Sequence, residues 1–395
     1  MRRNMHRLLC VFALAGGVIF GAADVAAGQD VPPLAILRAI ADKLPHRPQT
    51  PGTTFSPSGG GKADPVCGLQ HFTMTLATGS RSSHSLPVLL DHVPAEATAP
   101  VTLMAVLHRV TVDADGSRRT YHPDDPHGTG TCTGETGPDG ELHYHGVCAL
   151  DDFASAHLLV FDGATKLGKG EFEAPWQSIW PLIRDKKLEP IDLKQYVPSA
   201  PDGFYLFYWK ERNLTALFKR EIIPQAPDGY PCRDASGYFV AATTLKADGA
   251  ACASSRFMDA ENRPFIVLPD DTFGNARAGD IVVGRLAGAP ADRVVYGVVG
   301  DTGPIAQFGE ASVAFNRALL GRSSPIMNGH DVDALDISGG PVTVLVLGGT
   351  KALLNGDYSR QNIERVGRAE FARWNGDPSD PTQRLDACVR EFGAK

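Results

Sequence analysis

Between residues 65 and 350, short apolar or alternating runs recur, each stopped by Gly, Pro or Asp. The runs are Val101–Val112, Ala156–Phe161, Phe204–Trp209, Tyr238–Thr244, Pro264–Leu268, Asp280–Leu286, Val294–Val299 and Pro341–Leu347. Runs of this length, rich in β-branched and aromatic residues, predict strands. Helical periodicity is confined to a few places. A short helix is predicted over Leu34–Leu44, one from Glu310 that stops at Gly321, and two in the tail. The first tail helix is capped by Asp357 or Ser359 and ended by Gly376; the second starts at Asp380-Pro381. The segment Lys210–Arg220, rich in Lys and Arg, reads as a solvated helix face. The pattern therefore predicts a mainly β (α+β) core at 65–350 with inserted helices, followed by a helical tail at 351–395.

Composition sharpens this picture at the chain's start. Basic residues Met1–Arg7 lead into the apolar stretch Leu8–Phe20 and then small residues to Gly28. That order is expected of a signal peptide over 1–27, cut after Ala27 or Gly28, so the protein is expected to be secreted or periplasmic, without stable membrane association after cleavage. Residues 28–64, rich in Pro, Gly, Ser and Thr, read as a flexible lead. Of seven cysteines, six lie beyond Cys10. An even number in an exported chain favours disulfides. Cys132 with Cys148 closes a turn-rich loop, and Cys232 with Cys252 staples neighbouring strands. Cys67 and Cys388 then remain as a pair by elimination, a free Cys388 being the alternative.

The formal net charge is −7, and removing the leader takes away more Arg than Asp. An acidic surface suits a cationic polymer and disfavours nucleic acid. The chemistry-bearing segment is Gly300-Asp301-Thr302-Gly303-Pro304 followed by Gly309-Glu310-Ala311-Ser312. It sets one acid at a strand end and another nine positions later, both facing one loop. A turn-forming Asp and a dipole-matching Glu have the same appearance. Two carboxyl groups across a cleft are also what glycosidic cleavage requires.

The block Val295–Thr302 with Gly309–Ala314 resembles the catalytic segment of glycoside hydrolase family 75, the fungal-type chitosanases with bacterial members. Cys232–Val240, Pro264–Pro269, Val112–Gly116 and Tyr121–Asp125 resemble further parts of that domain, whereas 163–225 has no counterpart and reads as an insert. The resemblance implies a double-psi β-barrel-like core. It also implies an inverting endo-chitosanase without cofactor, whose substrate is the cationic polysaccharide chitosan. Asp301 and Glu310 take the catalytic positions, with Glu310 expected as acid and Asp301 as base. Asp113 and Asp115, alternating along one strand, and Asp234 are expected to contact substrate; a plain Asp-Gly turn at Asp115-Gly116 is the alternative. Hydrolysis of peptidoglycan or a β-glucan, and polysaccharide binding without catalysis, remain as other readings. His122, His127, His143 and His145 fit no zinc spacing, and no metal is expected.

Overall fold

The structure, a computed structural model, describes residues 30–44, 53–58, 65–77, 83–92, 99–136, 138, 142–153, 158–269, 276–290, 293–303, 308–377 and 379–393. The expected signal peptide lies outside these. Strands follow the chain as β1 (Thr53–Pro57), β2 (Gln70–Ala77), β3 (Ser83–Leu90), β4 (Thr102–Leu107), β5 (Thr111–Asp113), β6 (Thr133–Thr136), β7 (Leu142–His145), β8 (Leu158–Asp162) and β9 (Thr165–Lys166). They continue as β10 (Pro190–Asp192), β11 (Phe204–Trp209), β12 (Leu214–Lys219), β13 (Phe265–Leu268), β14 (Ile281–Leu286), β15 (Val295–Thr302), β16 (Glu310–Ser312) and β17 (Val342–Leu347). The α-helices are α1 (Leu34–Ala41), α2 (Glu173–Arg184), α3 (Leu193–Tyr196), α4 (Val313–Leu320), α5 (Gly329–Asp333), α6 (Arg360–Asn375) and α7 (Gln383–Gly393). The molecule is thus a mixed α and β protein built on large sheets.

Ten strands form the main sheet, in the order β1-β2-β3-β4-β17-β14-β15-β13-β16-β5. Its alternation is regular through the centre of the sheet. Val299, Ile266, Val282 and Val344 face one core with Phe315 and Leu319 of α4. Val298, Phe265, Ile281 and Leu345 face the other, closed by Ile363, Val366 and Phe371 of α6 and Leu385 of α7. Period-two burial on both faces explains why these strands read as near-continuous apolar runs. The C-terminal helices cover one face, and the Cys67–Cys388 disulfide ties the last of them to the segment before β2. Cys132–Cys148 and Cys232–Cys252 are also bonded, so all three expected pairs are present.

A second sheet, β10-β11-β12-β8-β9, is built largely from the expected insert. One face packs Tyr205, Phe207 and Phe218 against Trp176 and Trp180 of α2, together with Tyr121, Phe153 and Phe239. The other packs Leu206 and Leu217 against Leu37 and Ile40 of α1 and Leu193 of α3. The lead's helix is therefore docked, and β1 pairs with β2.

Three predicted elements differ outside the candidate site. Lys210–Arg220 is not a helix: after a 3-10 turn, Leu214–Phe218 form a buried central strand, because both faces of the second sheet are covered. Val101–Val112 is two strands, β4 and β5. Tyr238–Thr244 joins no ladder; its N–H groups bond to separate partners, Phe239 to Tyr121, Val240 to Cys232, Ala242 to Ile222. Among the described residues, no helix is long and apolar enough to cross a membrane.

Candidate active site

The site lies at one end of the main sheet. Val267 of β13 is paired on one side with Asp301 of β15 and on the other with Glu310 of β16. Residues directly opposite one another across a ladder project to the same face. Asp301, Val267 and Glu310 therefore stand in a row, the two acids separated by two strand spacings, about 10 Å between backbones. The row continues to Thr111 of β5, opposite Glu310, and Asp113 opposite Ser312 shares the same face two residues on.

A β-bulge makes this row possible. Val299 opposes Ile266, yet the next residue of β13, Val267, opposes Asp301, leaving Gly300 as the extra residue. Without it, Asp301 would oppose Leu268 and turn into the apolar core. Gly300 is required here because a Cβ would lie 2.4 Å from Cγ of Phe265. One inserted glycine thus re-aims the acid.

Glu310 corrects one expectation. It does not open a helix; it begins β16, and Ser312 is the N-cap of α4, its hydroxyl accepting from the Phe315 N–H. The helix dipole therefore gives no argument for an ionised Glu310.

Asp301 is buried, at 9% exposure. Its Oδ1 accepts from the Thr244 N–H (2.8 Å), the Thr244 hydroxyl (2.7 Å) and the Thr302 N–H (2.7 Å). Burial pushes its pKa up to about 6, and the Thr244 and Thr302 bonds work against that shift. Glu310 is raised as well, first by burial and then by the charges of Asp301, Asp151 and Asp336. Asp113 is held well above the usual carboxylate range by burial, then by Asp115 and Asp301. Asp115 is raised by burial and then by Asp301. Its backbone N–H donates to Oδ1 of Asp113 (2.8 Å), and the Ser117 N–H bonds to the Ala114 carbonyl (3.2 Å) across Asp115-Gly116, so the Asp-Gly turn named as the alternative is present. Asp115 Oδ1 is buried without a hydrogen-bond partner among the described residues.

Four of the five residues expected from sequence are therefore brought together. Asp234 is the exception. Its Oδ1 accepts from the N–H and hydroxyl of Ser236 and from the Tyr238 N–H, which makes it the former of its own turn. It interacts with none of the clustered acids. The histidines are dispersed: His127 pairs with Asp152 and His145 with Glu135, while His122 packs edge-on against Tyr238. Among the described residues, no set of His, Cys, Asp and Glu is arranged to hold a metal ion.

Sequence reasoning passed over several members. Asp151 joins the cluster, its pKa raised chiefly by burial, and the Tyr121 hydroxyl lies 3.4 Å from its Oδ2. The same hydroxyl hydrogen-bonds to Asp115. Tyr121 is anchored in the aromatic core beneath the second sheet, and Lys219 at the end of β12 is the cation acting on Asp115. Thr244 stands in an apolar run that reads as strand, and nothing local in the sequence singles out Asp151. No family model matches this chain, and no curated protein matches it either.

Proposed function

We propose that this protein is an exported glycoside hydrolase that cleaves the β-1,4 links of chitosan internally, with inversion. The single observation that carries this reading is the pair Asp301 and Glu310, flanking Val267 on one face of neighbouring strands. Their spacing of about 10 Å between backbones suits carboxyl groups about 6.5–9.5 Å apart, the gap that admits a water in inverting enzymes. The resemblance of the Gly-Asp-Thr and Gly-Glu-Ala-Ser segments to the family 75 chitosanases supports the same pair. Three disulfides support an oxidising, extracytoplasmic compartment. A double-psi barrel is supported by two parallel pairs, β13 with β15 and β5 with β16, inside an otherwise antiparallel sheet.

The roles follow from the hydrogen bonding. Oδ1 of Asp301 is filled by three donors, which favour its ionised form and leave Oδ2 to take a proton from water. Glu310 has no hydrogen-bond donor among the described residues, and its burial beside like charges favours the protonated form. In the reaction, the water oxygen attacks the anomeric carbon while Asp301 removes its proton. Glu310 gives its proton to the glycosidic oxygen as that bond breaks. Asp113 and Asp115 face protonated amino groups of the polymer, which relieve the mutual repulsion of the acids.

Reducing-end release from soluble chitosan tests this reading. Asp301→Asn and Glu310→Gln are each expected to lower turnover about a thousandfold, within the range of general acid–base catalysis. A folded variant that keeps near wild-type turnover removes that residue from the mechanism. Chitin, cellulose oligosaccharides and peptidoglycan assayed in parallel identify the preferred polymer.

A further inference from the structure

A cavity of about 480 Å³ opens on the same rim of the main sheet, outside the acidic site. It lies within the usual range of small-molecule clefts, about 300–1,000 Å³. Arg277, Asp280, Lys351 and Asn355 supply its polar lining, with Pro100, Ala352 and Tyr358 as its apolar wall. It sits where β14, the neighbour of β15, begins and where β17 ends.

The two cations are placed by the fold. Asp280, 2% exposed, accepts from the backbone N–H of Arg277 through Oδ2 (2.9 Å) and from that of Lys351 through Oδ1 (3.1 Å). One buried carboxylate therefore clamps both residues' backbones and is itself occupied by N–H donors. Gly279, at φ +101°, shapes the floor: a Cβ there would lie 2.6 Å from Cγ and 2.9 Å from Cδ of Lys351. The lysine stem packs over this glycine. Among the described residues, neither the Arg277 guanidinium nor the Lys351 ammonium has an acidic side chain in an ion pair. Two like charges lining one cleft beside an aromatic ring fit an oxyanion carried on a small ring.

We infer that this pocket binds an acidic sugar, its carboxylate between Arg277 and Lys351 and its ring against Tyr358. Charge-assisted bonds to both cations fix the anion, and the apolar wall distinguishes the sugar from a bare ion. This site is independent of the hydrolytic reading, because it shares no side chain with Asp301 or Glu310.

Titration calorimetry with D-glucuronate, glucose and inorganic phosphate tests the inference on the full chain. Glucuronate is expected to bind, and Arg277→Ala and Lys351→Ala each to weaken it about tenfold. Tyr358→Ala is expected to weaken glucuronate while leaving phosphate unchanged. The double variant Asp301→Asn/Glu310→Gln is expected to bind glucuronate as the wild type does, which separates this site from the acidic one. Absence of glucuronate binding overturns the inference, as does affinity unchanged in the Arg277 and Lys351 variants. Phosphate or glucose bound as tightly as glucuronate overturns the assignment to an acidic sugar.

Discussion

Two Gly-Asp pairs occupy the same end of the main sheet, Gly279-Asp280 entering β14 and Gly300-Asp301 near the end of β15, and their aspartates are bonded in different ways. Both are buried, and burial raises both pKa values. Asp280 has both oxygens engaged by backbone N–H groups, so its charge is spent on holding loops. Asp301 has one oxygen filled by three donors and stands among Asp113, Asp115 and Glu310. A saturated carboxylate is a structural clamp. A half-saturated one, crowded by like charges, is poised to exchange a proton.

The contrast is broken most severely at the clamp. Asp280→Ala leaves the N–H groups of Arg277 and Lys351 without their acceptor, and a loss of about 3–5 kcal/mol of stability is expected. Urea denaturation measures it, and chitosan turnover of the folded fraction should stay close to wild type. An unchanged midpoint would remove the clamp role.

Asp301 is expected to behave in the reverse sense. Its folded-state pKa of about 6 lies above the ordinary carboxylate value, so its contribution to stability is fully present below about pH 4. That contribution is lost as pH rises through about 6. Asp301→Asn therefore should unfold at higher urea than wild type at pH 8, by up to about 3 kcal/mol, and show no such gain at pH 3.5. A gain of equal size at both pH values would show that ionisation of Asp301 is not the cause.

The smallest effect is expected at Thr244. Removing its hydroxyl in Thr244→Val takes one of three donors from Asp301 Oδ1. The pKa of Asp301 should rise, moving the acidic limb of the pH–rate profile upward, with turnover down about tenfold. An unmoved acidic limb would assign Thr244 to packing alone.

Much of the scaffold was legible because period-two burial leaves a strong trace: Phe204–Trp209, Pro264–Leu268 and Pro341–Leu347 each emerged as strands close to their observed bounds. Two disulfides were legible from a turn-rich loop and neighbouring strands, whereas Cys67–Cys388 followed only by elimination, with a free Cys388 as the alternative. Lys210–Arg220 misled because flanking charges suggested a surface, whereas burial of Leu214–Phe218 comes from α1 and α2 packing on opposite faces, a tertiary fact. Glu310 misled for a different reason. Glu310-Ala311-Ser312 is too short to show alternation, and it merges with the helix that Ser312 caps. Asp301 and Glu310 were visible through their motif, but the row they form depends on the bulge at Gly300, and hence on register with β13. Tyr121, Thr244 and Asp151 come from separate loops, so nothing local in the chain marks them as neighbours of the acids.

The Cys67–Cys388 bond has a consequence for how the chain survives damage. It turns 321 positions of separation into a closed ring of backbone. A single protease cut anywhere within that ring, including the loops around the cleft, leaves two pieces still covalently joined. Their strands stay at high mutual concentration, so the nicked molecule can hold its shape until a reductant opens the ring.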